Sequence, residues 1–384
     1  MKILVSPDSF KGSLTAREAA EAIAKGFQRG LPNAHIVCLP VADGGEGTLD
    51  ALLAATEGRR VAVTVRGPLN QPVNAEFGFL GTEPQTAIIE MASASGLGLV
   101  PPEQRDPRRA STYGTGELIR AAQNAGATKI IIGLGGSATN DGGAGAMQAL
   151  GIRFFDLNGL EMPRGVGGAA LAQLGHIDTR DFHFPPRELP VVVASDVQNP
   201  LVGPNGASAV YGPQKGADTI AIAELDAALT HYAEIVRRDL GMNIATLPGG
   251  GVAGGLGAAL VAFLGATIQS GIDLVLDTTG FDAQVKDADW IITGEGRIDS
   301  QTINGKAVMG ILARRAGVPV IAFGGSVDPE SGAILAQHGL AAAFPIVSGP
   351  MLLSDAIQNA APLLEAAAER VARLISVSEP GVSR

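Results

Sequence analysis

Residues 130–151, IIIGLGGSATNDGGAGAMQALG, begin with three isoleucines and continue into a segment with almost no large side chains. The isoleucines predict a buried strand, and AMQALG after the glycines predicts a helix. An earlier segment, VCLPVADGGEGT at 37–48, has the same order of apolar run and glycine-rich loop. Both segments contain Asp-Gly-Gly-x-Gly, at 43–47 and at 141–145. The sequence therefore presents bare backbone with one carboxylate twice, each time after a predicted strand.

Strands and helices are predicted to alternate at both ends of the chain. In the N-terminal third, apolar runs at 2–7 and 35–42 flank a helix that begins with Thr15 and Glu18 in capping-box spacing. The C-terminal third continues the rhythm with apolar runs at 289–296, 318–325 and 341–349. Strands that are apolar throughout and separated by helices are typical of a parallel sheet covered on both faces. We therefore predict an α/β fold with a doubly wound, mostly parallel sheet.

The middle of the chain has a different pattern. Segments 59–81 and 86–96 contain turn signals beside β-rich runs, which predicts hairpin-forming strands. Segment 157–188 is rich in Gly, Pro and Arg without clear periodicity, which predicts irregular structure. A different middle between two similar ends indicates a second α/β domain inserted into the first. The predicted domains are a Rossmann-like α/β domain of residues 1–62 plus 286–384 and an inserted α/β domain of residues 63–285.

Composition excludes several classes of protein. The 384 residues carry a net charge of −10, which argues against nucleic acid or an anionic membrane surface as a partner. The single cysteine, Cys38, excludes an intramolecular disulfide framework and a cysteine-based zinc cluster. The N-terminal apolar run is too short for a signal peptide, so a cytoplasmic protein is expected. Residues 249–272 are uncharged and as long as a membrane span, but their clustered glycines favour a buried core helix of about fifteen residues.

The glycine-rich and acidic segments all follow predicted strands, and ligands of parallel sheets bind beyond the carboxyl ends of the strands. Consecutive glycines let backbone N–H groups converge on phosphate oxygens, and a following helix N-terminus adds a favourable dipole. A turn that needs positive φ is the alternative, but one or two glycines would satisfy it. GLGGSA does not match G-x-G-x-x-G, and the chain has no G-x-x-x-x-G-K-[ST] motif, which excludes a P-loop. For a second glycine segment, 249–260, phosphate binding and close helix packing stay equally open.

Charged residues accompany the glycines in these loops. Five aspartates lie just past predicted strands and are candidate Mg²⁺ ligands or general bases: Asp8, Asp43, Asp141, Asp196 and Asp299. An aspartate after a strand is more often a helix N-cap, so the residues alone do not assign the roles. Four cations also lie in loops: Lys11, Lys215, Arg297 and Lys306. The five histidines share no loop with these motifs, which argues against a histidine-centred triad or metal site.

These motifs, taken in order, resemble those of the type-1 glycerate kinase family. The matching segments run from residue 3 to about 350 and are SPDSFKGSL, VADGGEGT, YGTGEL, GLGGSATNDGGAGAMQALG, SDVQNPL, GGGVAGGLGAAL and TGEGRIDSQTINGK. The resemblance implies ATP-dependent phosphorylation of D-glycerate, with 2-phosphoglycerate as the product in the bacterial glycerate 2-kinases. It also implies two α/β domains, one inserted into the other, with the active site in the cleft.

The resemblance lets the motifs be given hypothetical roles in phosphoryl transfer, a reaction that depends on positioning and charge stabilisation. The expected cradle for the ATP phosphates consists of Gly135, Gly136, Ser137, Asn140, Asp141 and Gly142. Asp43, Gly44 and Gly45 are expected to face the transferred phosphoryl group. Glycerate is expected to be held by Asp8, Ser9 and Lys11, with Lys11 at its carboxylate and Asp8 at a hydroxyl. Asp196 is expected to be the general base or an Mg²⁺ ligand, and Asp299 the second metal ligand.

Alternatives stay open at this point. The same site could phosphorylate the 3-hydroxyl, act on a related hydroxy acid, or belong to a non-catalytic nucleotide or sugar-acid sensor. The number of aspartates and lysines in the loops favours an enzyme over a sensor. The two Asp-Gly-Gly-x-Gly loops are interpreted as two backbone-rich walls of one site. If one copy only shapes a turn, the Ser, Thr and Asn beside 141–145 favour that copy as the functional one.

Overall fold

The computed structural model of the chain describes residues 1–180, 182, 184, 188–303 and 307–378. The chain divides into two compact units. The first unit comprises Met1–Asp43, Asp50–Thr56 and Ile272–Arg384, and the second unit comprises Gly44–Leu49 and Glu57–Gly271. The domain limits expected from the sequence, at 62/63 and 285/286, stay a prediction.

Strands and helices follow one another along the whole chain. The strands are β1 (Lys2–Val5), β2 (His35–Cys38), β3 (Arg59–Arg66), β4 (Pro72–Phe79), β5 (Thr86–Glu90), β6 (Lys129–Gly133), β7 (Arg153–Asp156), β8 (Leu174–Asp178), β9 (Val191–Ala194), β10 (Thr267–Gln269), β11 (Trp290–Ile298), β12 (Val320–Val327) and β13 (Leu340–Pro345). The helices are α1 (Ala16–Gly30), α2 (Thr48–Thr56), α3 (Ala92–Ser95), α4 (Tyr113–Asn124), α5 (Ala144–Leu150), α6 (Ala207–Tyr211), α7 (Thr219–Leu240), α8 (Leu256–Leu264), α9 (Gly271–Thr278), α10 (Phe281–Val285), α11 (Ser300–Ile303), α12 (Ala307–Arg314), α13 (Pro329–Gln337), α14 (Leu353–Gln358) and α15 (Ala360–Ser378). Short 3₁₀ helices lie at Leu97–Leu99, Pro102–Gln104, Gly168–Gln173, Pro213–Lys215 and Val252–Gly255.

The first unit is built on a five-stranded sheet in the order β13-β12-β11-β1-β2, in which every pair of neighbouring strands is parallel. The register pairs Val5 with Ile292 on one side and with Cys38 on the other. The loops that follow β1, β2 and β11 therefore leave the same edge of the sheet. This confirms the predicted α/β class with largely parallel sheets.

Helix α1 begins and packs as its sequence specifies. The Thr15 side chain accepts from the backbone N–H of Glu18, and the Glu18 carboxylate accepts from the N–H of Thr15, which confirms the predicted capping box. Two glycines on α1 face α15, where an ideal Cβ on Gly26 would lie 2.3 Å from the Glu365 carbonyl oxygen. The glycines let the two helices pack backbone to backbone.

The second unit has a six-stranded sheet in the order β10-β9-β6-β5-β4-β3. The strands β3, β4 and β5 pair antiparallel, as the hairpin signals at 59–81 and 86–96 predict. The strands β5, β6, β9 and β10 pair parallel, so Glu90, Gly133 and Ala194 end neighbouring strands at one edge. Here too the carboxyl ends of parallel strands bring the glycine-rich loops together.

Segment 157–188 is more regular than predicted, because its described part contains the 3₁₀ helix Gly168–Gln173 and strand β8, which pairs antiparallel with β7. Phe154 and Ile177 face each other across this ribbon and are buried, although β8 is too short to show a clear alternation in sequence. Residues 181, 183 and 185–187 of this segment lie outside the described residues.

Segment 249–272 also differs from its prediction of a helix of about fifteen residues. Helix α8 has nine residues and ends where Gly265 adopts a φ of +65°, after which β10 begins. Glycine at a helix C-terminus accommodates the left-handed conformation that stops the helix. Among the described residues, no helix combines the length and the apolar character that a membrane span needs.

Strands β11 and β12 extend further than their apolar runs suggest. Strand β11 continues through the segment TGEGRI to Ile298, and residues 294–298 pair with residues 323–327 of β12. An ideal Cβ on Gly294 would lie 2.4 Å from the Phe323 carbonyl oxygen, so a glycine is needed for this close approach. Arg297, expected in a loop, is therefore in a strand, and Glu295 lies inside the sheet.

Candidate active site

The accessible part of the glycine-rich loop after β6 is short. Gly135 is half-buried and Gly136 is exposed, whereas every residue from 137 to 147 is buried, with Ser137 at 8% exposure. Within the described part of the chain, the amides of Gly135 and Gly136 donate no hydrogen bond. Two consecutive backbone donors at an accessible loop can bind an anion such as a phosphate. The loop offers these donors beyond the carboxyl end of β6.

The two Asp-Gly-Gly-x-Gly regions come together in the second unit through Gly44 and Gly45. An ideal Cβ on Gly135 would lie 2.7 Å from the Cα of Gly45, and one on Gly44 would lie 2.7 Å from the carbonyl oxygen of Ala194. The carbonyl oxygen of Gly44 in turn lies 2.8 Å from the position of a Cβ on Gly133. Glycine is required at these positions because backbone meets backbone. The ends of β6 and β9 and the loop 44–46 therefore form one backbone-lined surface.

Asp196 lies at the same surface. It follows β9 by two residues, is half-buried, and its Oδ1 accepts a 3.1 Å hydrogen bond from the N–H of Gly271. The Cα of Gly271 lies 3.2 Å from the position of a Cβ on Gly44. The structure therefore brings Asp196 together with the predicted residues Gly44, Gly45, Gly135 and Gly136.

Asp141 points into the second unit and is completely buried. One of its oxygens, Oδ2, accepts 2.8 Å hydrogen bonds from both the N–H and the Oγ1 of Thr112. The carboxylate also accepts from the N–H groups of Gly143 and Gly145, at 3.1 and 3.2 Å. Burial raises the pKa of the Asp141 carboxyl group, and these hydrogen bonds oppose that shift. The carboxylate fixes the start of α5 and the loop from inside.

Asn140 and Gly142, on either side of Asp141, are also buried inside the second unit. The Asn140 amide donates to the Oγ of Ser208 at 2.9 Å, and Gly142, with a φ of +62°, packs on the ring of Tyr232. The structure thus places Gly135 and Gly136 at the accessible face, the buried Ser137 directly after them, and Asn140, Asp141 and Gly142 behind this face. A role of the latter three in phosphate binding stays a prediction, and their contacts support an indirect one.

The glycine segment 249–255 packs against the back of the same loop. Its residues are buried, and the carbonyl oxygen of Gly254 accepts a 2.9 Å hydrogen bond from the N–H of Gly142. An ideal Cβ on Gly254 would lie 2.0 Å from the Thr139 carbonyl oxygen, and one on Gly255 would lie 2.7 Å from the Cα of Gly142. Of the two interpretations that the sequence leaves open for this segment, the contacts favour close packing.

In the first unit, three carboxylates gather at one edge of the sheet: Asp8 beyond the end of β1, Asp43 beyond the end of β2, and Glu295 within β11. Asp8 is 5% exposed and Glu295 is 7% exposed, while Asp43 is half-buried. Burial, and after it the nearby charges of Asp43 and Glu295, raise the pKa of Asp8 to about 7. The N–H of Ser9 and the charge of Lys11 act in the opposite direction. Acidic groups with such a shifted pKa cluster at functional sites.

Glu295 is a site residue that the sequence reasoning did not single out. Its Oε1 accepts a 2.6 Å hydrogen bond from the Oγ1 of Thr302, which is completely buried. A signal is present in the sequence, since Glu295 lies in the apolar run 289–296 as its one buried acidic residue. The pairing of Glu295 with Gly324 of β12 and the hydrogen bond from Asp8 N–H to the Gly294 carbonyl place it in the sheet beside Asp8.

The other predicted residues of the first unit take different positions. Lys11 is exposed, and Ser9 donates its N–H to the Oδ1 of Asp8 at 2.6 Å. Asp299 is half-buried, pairs with Arg297 at 3.1 Å, and accepts from the N–H of Gln301 at 2.8 Å. Lys306 lies outside the described residues.

The two predicted metal ligands belong to different units, Asp196 to the second and Asp299 to the first. Within the described ranges, no group of three or more His, Cys, Asp or Glu side chains is arranged to hold a metal ion. Mg²⁺ in nucleotide sites commonly takes only one or two protein carboxylates and completes its shell with phosphate oxygens and water. A single half-buried aspartate such as Asp196, beside accessible backbone amides, fits that mode of binding.

The fold and these side chains define an α/β protein in which backbone-lined loops and carboxylates lie at the carboxyl ends of parallel strands. Comparison with known proteins specifies the class further. The model of the glycerate kinase family matches residues 3–376. The chain therefore belongs to the glycerate kinase family, and it is an enzyme, a kinase.

Individual relatives are similar over nearly their whole length. The chain is 50% identical to glycerate kinase from Bacillus subtilis (strain 168) over 381 residues, which cover 99% of each chain. It is 48% identical to glycerate 2-kinase from Escherichia coli (strain K12) over 379 residues, which cover 98% of each chain. A crystal structure from Salmonella typhimurium LT2, described as glycerate kinase 2, superposes with a TM-score of 0.87 at 48% identity and covers 98% of each chain.

Proposed function

We propose that the enzyme transfers the γ-phosphoryl group of ATP to the 2-hydroxyl of D-glycerate and releases 2-phosphoglycerate and ADP. The observation that carries the proposal is the pair of accessible amides at Gly135 and Gly136, packed against the backbone of Gly45. The similarity of the chain to glycerate 2-kinase from Escherichia coli supports the choice of D-glycerate as substrate and of its 2-hydroxyl as the acceptor.

The second unit is proposed to bind the nucleotide phosphates. Gly135 and Gly136 supply accessible backbone donors, Ser137 adds a hydroxyl directly after them, and Gly45 closes one side of the loop without a side chain. Preorganised N–H groups stabilise the charge on phosphate oxygens without reorganisation during the reaction. The buried residues Asn140 and Asp141 contribute by fixing the loop, not by touching the phosphates.

The first unit is proposed to recognise glycerate. Lys11 is exposed at the end of the loop after β1, where its ammonium group suits the substrate carboxylate. Asp8 and Ser9, which precede it, suit the glycerate hydroxyls as hydrogen-bond partners. Asp43 carries a second carboxylate near Asp8, and it is proposed to face the transferred group.

Mg²⁺ is the proposed metal, with Asp196 and Asp299 as the candidate ligands. When bound, it neutralises charge on the phosphate oxygens. Asp196 is equally a candidate for the general base. In that case the glycerate hydroxyl loses its proton to the carboxylate, its oxygen forms a bond to the γ-phosphorus, and the bond to the β-phosphate oxygen breaks to release ADP.

The reaction is tested by measuring ADP release with Mg-ATP and D-glycerate. L-Glycerate and D-lactate serve as controls, since the first inverts the stereocentre and the second lacks the 3-hydroxyl. ADP release that depends on D-glycerate supports the proposal. ADP release without an acceptor, or binding of ATP without turnover, would instead favour an ATPase or the nucleotide sensor.

A further inference from the structure

Lys215 contacts the glycine-rich loop from inside the second unit. It ends the 3₁₀ helix Pro213–Lys215 and is only 1% exposed. Its Nζ donates a 2.6 Å hydrogen bond to the carbonyl oxygen of Thr139, a residue that is itself completely buried. A buried ammonium group is costly unless it has a partner, so this position is unusual for a lysine. The following residue, Gly216, has a φ of +95° and packs on the backbone of Arg105.

The charge of Asp141 acts on Lys215 inside the second unit. Burial lowers the pKa of Lys215 to about 7, and the charge of Asp141 opposes that shift. From α7, the hydroxyl of Tyr232 is completely buried and has no hydrogen-bond partner among the described residues. Burial and the charge of Asp141 both raise the pKa of Tyr232, which keeps this hydroxyl neutral. Asp141, which organises the loop, therefore favours the charged form of Lys215.

Besides the side-chain hydrogen bonds of Asn140 and Asp141, backbone hydrogen bonds hold the loop between β6 and α5 in place. They join Leu97 N–H to the Gly136 carbonyl at 2.8 Å, Ala138 N–H to the Ser95 carbonyl at 3.0 Å, and Gly142 N–H to the Gly254 carbonyl at 2.9 Å. A further hydrogen bond joins the Lys215 ammonium group to the Thr139 carbonyl. This carbonyl lies three residues after Gly136, so its position affects the direction in which the accessible amides point.

We propose that Lys215 is a positioning residue for nucleotide binding, which fixes the Thr139 carbonyl and balances Asp141 so that the amides of Gly135 and Gly136 point toward phosphate. The inference rests on the proposed function, because it takes this loop as the phosphate site. Since Lys215 is buried, it acts through the loop and not by contact with the nucleotide. Its loss should therefore weaken nucleotide binding more than it affects glycerate.

The test compares three variants with the wild-type protein by calorimetric titration with Mg-ADP. Lys215→Met keeps the length of the side chain without its charge. Lys129→Met is the matched control, because Lys129 lies at the opposite end of β6 and pairs with Glu83 at 3.6 Å. Phe77→Leu, at a buried position of β4, controls for lost stability alone. The urea midpoint of each variant is measured alongside.

The proposal predicts that Lys215→Met raises the Kd of Mg-ADP at least tenfold while the KM for D-glycerate changes less than threefold. Lys129→Met and Phe77→Leu should stay within twofold of wild type in Mg-ADP binding. If Lys215→Met does not fold, Lys215→Gln retains a donor for the Thr139 carbonyl but loses the charge that balances Asp141, so it should still raise the Kd of Mg-ADP at least threefold. A folded Lys215 variant that loses stability but binds Mg-ADP within twofold of wild type overturns the proposal. Failure of the wild-type protein to bind Mg-ADP overturns the proposed function itself.

Discussion

Gly135 and Gly45 lie so close that a Cβ on Gly135 would stand 2.7 Å from the Cα of Gly45. Two loops that are 90 residues apart in sequence therefore share one backbone surface, and Gly135 cannot carry a side chain at the point of contact. This relationship explains why position 135 needs a glycine. Even substitution of Gly135 by alanine should therefore change the geometry of this surface.

Gly135→Ala should weaken nucleotide binding strongly. The added Cβ meets backbone, so the loops must separate and the amides of Gly135 and Gly136 lose their direction. We expect the KM for Mg-ATP to rise at least tenfold. Gly98→Ala is the matched control, because a Cβ there meets nothing within 4 Å and should leave the KM unchanged. An unchanged KM in Gly135→Ala would remove this surface from the nucleotide site.

The aspartates of the two Asp-Gly-Gly-x-Gly segments, Asp43 and Asp141, should respond differently to substitution by asparagine. Asp141→Asn places an amide group against the donors on Thr112, Gly143 and Gly145, so about 2–4 kcal/mol of the free energy of unfolding should be lost. Asp43→Asn, at a half-buried position, should change stability less and lower kcat at least tenfold. Urea denaturation and steady-state kinetics separate the two effects. Equal loss of stability in both variants would contradict the structural role of Asp141 and the role of Asp43 in turnover.

Asp8 should make the stability of the metal-free protein depend on pH. Its pKa of about 7 in the folded protein exceeds its ordinary value of 3.8, so the folded state binds the proton more tightly than the unfolded state does. Its contribution is therefore fully present below about pH 4 and is lost as the pH rises through 7. Asp8→Asn removes the buried charge.

Urea denaturation at pH 5 and pH 8, without Mg²⁺, measures this effect. Asp8→Asn should be more stable than wild type by on the order of a few kcal/mol at pH 8, and the gain should shrink at pH 5. It should also be nearly inactive, since Asp8 is assigned to the substrate. Asp355→Asn, at an exposed position, is the control and should show neither change. A gain in stability that is the same at both pH values would exclude titration of Asp8 as its cause.

Lys11→Met should raise the KM for D-glycerate at least tenfold with a smaller effect on the KM for Mg-ATP. The reason is loss of the cation proposed for the substrate carboxylate. Lys25→Met, an exposed lysine in α1, is the matched control. If the two variants have the same KM for D-glycerate, another group binds the carboxylate.

The sequence predicted the fold class and the position of the loops, because apolar strands and glycine clusters are local features. It did not predict which way Asp141 points. That direction depends on Thr112, which lies 29 positions earlier, and on Lys215, which lies in a separate 3₁₀ helix. Glu295 was missed because the pairing of β11 with β12, not its own neighbours in sequence, places it in the sheet. Orientation and long-range pairing are tertiary properties that a local pattern does not contain.

The most direct test of the proposed reaction identifies the product. Mg-ATP and D-glycerate are supplied to the enzyme with enolase and pyruvate kinase as coupling enzymes and without phosphoglycerate mutase. Enolase uses 2-phosphoglycerate, and pyruvate kinase then converts phosphoenolpyruvate and the ADP made by the enzyme into pyruvate and ATP. The account therefore predicts pyruvate formation that depends on D-glycerate, without accumulation of ADP. Accumulation of ADP that depends on D-glycerate, without pyruvate, would indicate 3-phosphoglycerate as the product and would contradict the proposed choice of hydroxyl.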